Sequence, residues 1–98
     1  MTMFDTDVGA IKFWIDALVD DCKEVEVKGK NCHSKYEPKP YGEYNQILDA
    51  KNRIIASYDF TSKVLFVNAS DFKTNRKMLN HVMKFASEMG IEWSQGYM

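Results

Sequence analysis

The sequence has little of what secreted and membrane proteins rely on. Its 98 residues include only two cysteines, Cys22 and Cys32, which are too few for a disulfide framework. No stretch approaches the roughly 18 apolar residues of a membrane span. The segment 1–5 lacks the basic start and apolar run of a signal peptide. We therefore expect a cytoplasmic protein with reduced thiols and no membrane partner.

Glycine, proline and net charge are also low. With seven glycine and proline residues together, 45% apolar residues and 13 aromatic residues, the composition argues against global disorder. A net charge of −1 argues against a histone-like coat for nucleic acid. A chain of this length seldom divides into two cores, and it buries roughly 60% of its unfolded surface without requiring a disulfide or a metal. We predict a single domain over 1–98.

Apolar residues at helical spacing predict a first helix from about Asp7 to Lys23. Thr6 is positioned to cap its amino-terminal end. The predicted core side of this helix consists of Val8, Ile11, Ile15, Leu18, Val19 and Cys22.

A second amphipathic helix is predicted to begin near Asp71 or Thr74 and to end at Gly90. The glycine supplies the left-handed residue of a cap, onto which Ile91 can fold back. The predicted core side consists of Met78, Leu79, Val82, Phe85, Ala86 and Met89. In the tail that follows, we expect Trp93 to pack on the rest of the protein.

Short strands are predicted between the two helices. Residues 24–28 alternate charged and apolar, and 30–36 can return as a hairpin partner. After a loop with two prolines, a three-stranded meander is predicted over 44–48, 53–60 and 64–68, because short spacers favour antiparallel neighbours. The fold class is therefore α+β, an antiparallel sheet of about four to five strands with two amphipathic helices packed on one face.

The first helix carries a second apolar side. Its members stand at i, i+3, i+4 and i+7, and they are Ala10, Phe13, Trp14 and Ala17. Two interpretations stay open. The aromatic side chains wrap the edge of the core or meet the tail, or they anchor an interface with a second copy or another protein.

The near-neutral net charge is the sum of an acidic pole and a basic pole. Residues 1–49 carry ten acids and six bases, whereas 50–98 carry four acids and seven bases. The acidic pole includes Asp16, Asp20, Asp21, Glu24 and Glu26. The basic pole lies on the second helix and consists of Lys73, Arg76, Lys77 and Lys84, with Asn80 beside them.

Ordinary solvated faces are the simplest explanation of these poles. Two functional alternatives stay open beside it. The basic residues could hold the phosphates of a nucleic acid. The acidic residues could instead imitate a nucleic-acid backbone and occupy the basic groove of a nuclease.

Catalytic and metal-binding motifs are lacking. Cys22, Cys32, His33 and His81 show no spacing typical of a zinc site or a catalytic Cys-His pair. The aromatic residues of the strands are either half-buried or form a stacking platform for single-stranded nucleic acid; they are Tyr36, Tyr41, Tyr44, Tyr58 and Phe60. We expect no enzyme activity, no cofactor and no metal.

One stretch resembles a known group of proteins. Residues 41–85, with the strand 63–68 and the segment Ser70-Asp71-Phe72-Lys73-Thr74 that leads into the last helix, look like small phage-encoded domains of unknown function. The resemblance implies an accessory protein of a phage or mobile element. Such proteins often bind host machinery stoichiometrically, including CRISPR and other defence nucleases. The resemblance carries over no functional residues.

We therefore expect a non-enzymatic protein-interaction module, foremost an anti-CRISPR-like inhibitor of a host defence complex. The first alternative is a small nucleic-acid-binding regulator that uses the basic face of the second helix. The second is an assembly protein that dimerises through the first helix.

Overall fold

A computed structural model describes residues 2–20, 24–37, 44–69 and 72–96, with the backbone alone for 72–74. The described residues form seven strands and two helices. In chain order they are β1 (Thr2–Met3), α1 (Asp7–Val19), β2 (Val25–Lys28), β3 (Cys32–Tyr36), β4 (Tyr44–Asp49), β5 (Ile54–Asp59), β6 (Val64–Asn68), α2 (Phe72–Glu88) and β7 (Glu92–Gly96). The strands make one sheet in sequence order.

The α+β class is confirmed, but the sheet is larger than predicted and it is mixed. The outer pairs β1–β2 and β6–β7 are parallel, and the four pairs between them are antiparallel. The prediction of four to five antiparallel strands was wrong because it counted only strands joined by short turns. Each missed strand pairs across a helical crossover, β1 through α1 and β7 through α2, as parallel neighbours require.

Both helices cover the same face of the sheet. Strands β2 and β6 run in the same direction, and both crossovers step the same way across the sheet. Because such crossovers share one hand, α1 and α2 lie on one side, where they contact each other. Their buried side chains form one core cluster with inward residues of the sheet, among them Val25, Val27, Ile47, Leu65 and Val67.

Helix α1 is rotated relative to its predicted orientation. Ile11, Ile15 and Leu18 are buried as expected, but Val8 and Val19 are exposed. The prediction for these two valines was wrong because the buried side of the helix is centred nearer Trp14. Cys22 lies outside the described residues.

The start of α1 was predicted correctly, but its end was not. Thr6 is the N-cap, since its Oγ1 accepts the Gly9 N–H at 3.2 Å. The helix ends at Val19, four residues before the predicted end at Lys23.

Helix α2 ends as its sequence predicts. Gly90 adopts φ 75°, and the Ile91 N–H donates to the Ala86 carbonyl at 2.8 Å. Trp93 packs against the core, and its Nε1 donates to Ser87 Oγ at 2.9 Å. Met89 lies past the last helical turn and is exposed, which corrects its assignment to the core. Neither helix, over the residues described, has the length and apolar character needed to cross a membrane.

Candidate functional site

A groove of about 600 Å³ opens where the start of α2 meets two turns of the sheet and the first residue of α1. We name it the Asp49 groove. Its lining residues are Asp7, Asn31, Asp49, Ala50, Lys51, Arg53, Asn75, Arg76, Lys77 and Met78.

Asp49 forms the buried base of this groove. Its side chain is 4% exposed. Oδ1 accepts the backbone N–H groups of Lys51 and Arg53, both at 2.9 Å, which closes the turn between β4 and β5. Oδ2 accepts Arg53 Nε at 2.8 Å and Asn75 Nδ2 at 2.9 Å. These four bonds use the acceptor capacity of the carboxylate and join the turn to α2.

The environment of Asp49 keeps it ionised. Burial alone raises the pKa of this carboxyl. The hydrogen bonds from Asn75, from the backbone of Arg53 and Lys51, and from the Arg53 side chain outweigh burial and bring the pKa below its ordinary value of 3.8. Near neutral pH the carboxylate is therefore charged, and the adjacent Arg53 guanidinium compensates it.

Asn75 connects this network to α2 through a kink. Its backbone, at φ −110° and ψ 18°, is not helical, and the residue as a whole is 4% exposed. Sequence reasoning missed Asn75. A signal was present, because asparagine is unfavourable within helices and favourable at their ends, where its side chain bonds locally.

The opposite wall of the groove is fixed by the turn between β2 and β3. Asp7 accepts the Asn31 N–H at 2.6 Å and Asn31 Nδ2 at 3.1 Å. Gly29 lies so close to α1 that an added Cβ would come within 2.9 Å of Ala10 Cβ and of Asp7 Oδ1. The turn is therefore held tightly against the start of α1.

The basic residues predicted on the second helix are partly brought together here. Arg76 and Lys77 line the groove. Asn80 and Lys84 are exposed on the same side of α2, farther along the helix. Lys73 lies in the first turn, where only the backbone is described. The structure adds Lys51 and Arg53 from the β4–β5 turn, which the sequence alone did not connect with α2.

The residues predicted to form an interface on α1 are divided by the structure. Ala10 and Trp14 are both 0% exposed, so their assignment to an interaction surface was wrong. The side chain of Trp14 instead faces the sheet, where its Nε1 donates to Asn45 Oδ1 of β4 at 3.0 Å. Phe13 is 40% exposed, and its ring centroid lies 5.4 Å from that of Phe4 at the edge of the core.

Ala17, the last member of this predicted surface, and the described aspartates of the acidic pole lie toward the end of α1. Asp16 and Ala17 are half-buried. Asp20 is exposed and caps the carboxyl end of the helix. Asp21 lies outside the described residues.

A second groove, of about 360 Å³, lies beside this part of α1. Phe13, Ala17 and Tyr36 supply ring and methyl surface, and its charged lining residues are Glu24, Glu26, Lys35 and Glu37. We name it the Phe13 groove. Its lining carries three acids and one base, the opposite balance to that of the Asp49 groove.

The aromatic residues of the strands do not form one platform. Phe60 packs against Tyr36 and Tyr58, with ring centroids 5.3 and 5.1 Å apart. Tyr58 is buried, whereas Tyr44 is exposed elsewhere on the sheet. Tyr41 lies outside the described residues.

Among the described residues, the thiol and imidazole side chains lie on different faces of β3 or on different elements. Cys32 is buried, and burial, the charge of Asp7 and a hydrogen bond with it raise the pKa of the thiol to about 12. His33 lies on β3, while His81 stacks on Phe85 at 6.2 Å in α2. In the part of the chain that the structure describes, no three His, Cys, Asp or Glu side chains are grouped to hold a metal ion.

Comparison with known protein families, curated proteins and solved structures gives no match for this chain. Its candidate function therefore rests on the geometry and charge of its grooves.

Proposed function

We propose that this protein is a non-enzymatic binding module that holds the phosphates of a nucleic acid in the Asp49 groove. The observation that supports this proposal is the meeting of four basic side chains from two elements. Lys51 and Arg53 come from the β4–β5 turn, and Arg76 and Lys77 come from α2. With Asp7 and Asp49 counted, the lining still has two more basic than acidic side chains, an excess that a bound polyanion can neutralise.

The buried base of the groove supports the same function. Asp49 holds the Arg53 guanidinium through Nε, so this cation is oriented before a ligand arrives. A guanidinium fixed in this way is suited to phosphate, which it can contact through two N–H groups. Ordering the side chain in advance also reduces the entropy lost on binding.

The exposed side of α2 extends the basic surface beyond the groove. Lys77, Asn80 and Lys84 stand at i, i+3 and i+7, so they share one side of the helix. Seven residues of helix rise about 10 Å, enough to accompany the backbone of a bound strand past more than one phosphate.

Binding of labelled oligonucleotides, followed by fluorescence anisotropy at several salt concentrations, tests the proposal. The variant Lys77→Glu plus Lys84→Glu should lower the affinity by at least about tenfold. The slope of log affinity against log salt should flatten by about 0.7 to 0.9 for each phosphate that the variant no longer neutralises. Lys12→Glu, an exposed reversal on α1, is the matched control and should bind like the wild type. Absence of binding at low salt, or equal affinity of all three proteins, would overturn the proposal.

A second candidate function is the inhibition of a host defence complex through α1. It is favoured by the exposed ring of Phe13, with Asp16 and Asp20 at i+3 and i+7 on the same side of the helix. The phage-type resemblance of 41–85 supports the same function.

A nuclease-inhibition assay against CRISPR effector complexes tests this candidate. Phe13→Glu should abolish inhibition, whereas Val19→Glu, at another exposed apolar position of α1, should preserve it. Inhibition that survives Phe13→Glu would exclude this surface.

Dimerisation through α1 is tested separately. If the protein dimerises through this helix, Phe13→Glu should lower the mass measured by light scattering.

A further inference from the structure

A third groove, of about 510 Å³, adjoins the Asp49 groove and faces the other side of the sheet. The two grooves share Asn31 and Ala50 as lining residues. We name the third one the hairpin groove, because it follows the hairpin of β2 and β3. Its ionisable lining, apart from the buried Cys32, consists of Glu26, Lys28, Lys30, His33 and Lys35.

The alternation of the two strands assigns this groove to the open face of the sheet. Val25 and Val27 of β2, and Cys32 and Ser34 of β3, are buried toward the helices. The side chains between them, which include Lys28 and Lys35, therefore point to the opposite face. The Asp49 groove lies instead in the helix layer, where α2 and the first residue of α1 line it.

The basic residues of the chain are concentrated along these two adjoining grooves. Together they are lined by seven of the 13 basic residues and by three of the 14 acidic ones. The rest of the chain is left with six basic and eleven acidic residues. A protein of net charge −1 thus carries a continuous basic path with an excess of four positive charges, on an otherwise acidic molecule.

From this path we infer that the ligand is a single-stranded nucleic acid that begins in the Asp49 groove, passes Asn31 and Ala50, and continues into the hairpin groove. The inference rests on the proposed function and names its ligand class. A mononucleotide would reach only one groove. A duplex is stiff over about 150 base pairs, so it cannot turn from the helix layer around the end of the sheet to the open face. A single strand can follow the turn.

The hairpin groove also has a group suited to a base. His33 is half-buried in the groove between lysines, and imidazole rings accept the stacking of unpaired bases. Lys28 and Lys30 are exposed at its rim and can contact phosphates. Lys35 contributes less charge, because Glu37 lies 3.4 Å from its Nζ.

A length series separates this inference from the proposed function. The ligands are oligothymidylates of about 4 and about 16 nucleotides, which span the site sizes typical of small single-strand binders, and a duplex of the longer length. The wild type should bind the longer strand at least about tenfold more tightly than the short one, and more tightly than the duplex. Lys28→Glu plus Lys30→Glu should remove most of this advantage and leave the binding of the short strand unchanged.

The outcomes distinguish the two claims. If no oligonucleotide binds, the proposed function fails. If the oligonucleotides bind with an affinity independent of length, with a preference for duplex, or equally well to the Lys28→Glu plus Lys30→Glu variant, the path into the hairpin groove is excluded and the Asp49 groove stands alone. The neutral variant Lys28→Gln plus Lys30→Gln, checked by thermal unfolding, guards against damage to the hairpin and should lose part of the advantage.

Discussion

The Asp49 and Phe13 grooves differ in how their charges are held. At the base of the Asp49 groove a buried carboxylate accepts four hydrogen bonds and fixes Arg53 and Asn75. In the Phe13 groove Lys35 pairs with Glu37, and both side chains are more than half exposed. Buried hydrogen-bonded charges are costly to disturb, whereas exposed pairs contribute little. The first groove is preorganised, and the second presents solvated surface charge.

The largest effect should come from Asp49→Ala. This change removes the acceptor of four hydrogen bonds, including those from the buried Asn75 amide and the Arg53 guanidinium, so the free energy of unfolding should fall by about 3 kcal/mol. Chemical denaturation measures the loss. Asp59→Ala is the matched control, because Asp59 closes the next turn by accepting Thr61 N–H and Ser62 Oγ at the surface. An equal loss in both variants would contradict the special role of burial at Asp49.

Lowering the pH should reduce the stabilisation that the Asp49 carboxylate contributes. Because the pKa of Asp49 is lowered in the folded protein, the unfolded chain takes up the proton first as the pH falls. The stabilisation from Asp49 is therefore complete above its ordinary value of 3.8 and is lost as the pH drops through the lower folded pKa. Denaturation of the wild type and of Asp49→Asn over this range should show their difference shrinking with acid. A constant difference would mean that another group carries the acid sensitivity.

Asn75→Ala should have a smaller effect, about 1 to 2 kcal/mol. The change removes the hydrogen bond to the Asp49 carboxylate, although alanine favours the helical backbone that the kink interrupts. Asn80→Ala, at an exposed position of the same helix, should change stability by less than about 0.5 kcal/mol. Denaturant midpoints of the two variants compare them directly. If Asn75→Ala stabilised the protein, the non-helical backbone at this position would cost more free energy than the hydrogen bond to Asp49 contributes.

The difference between local and long-range contacts explains which features the sequence could predict. Local patterns located α2, its cap at Gly90 and the antiparallel hairpins, because these depend on neighbouring residues. The pattern could not assign Trp14, since its burial depends on Asn45, 31 residues away. The hydrogen bond between Asn75 and Asp49 could not be predicted for the same reason, because 26 residues separate its two ends. The charge poles were visible in the sequence, but the alignment of Lys51 and Arg53 with α2 depends on the fold.

The smallest effect should come from the exposed pair of the Phe13 groove. Lys35→Ala removes an ion pair of 3.4 Å between two solvated side chains, so stability should change by less than about 0.5 kcal/mol. Raising the salt concentration should erase even this difference, because exposed charges are screened. Denaturation at low and high salt checks both statements. A loss comparable to that of Asp49→Ala would mean that the Phe13 groove is also built on ordered charge, and the distinction between the two grooves would disappear.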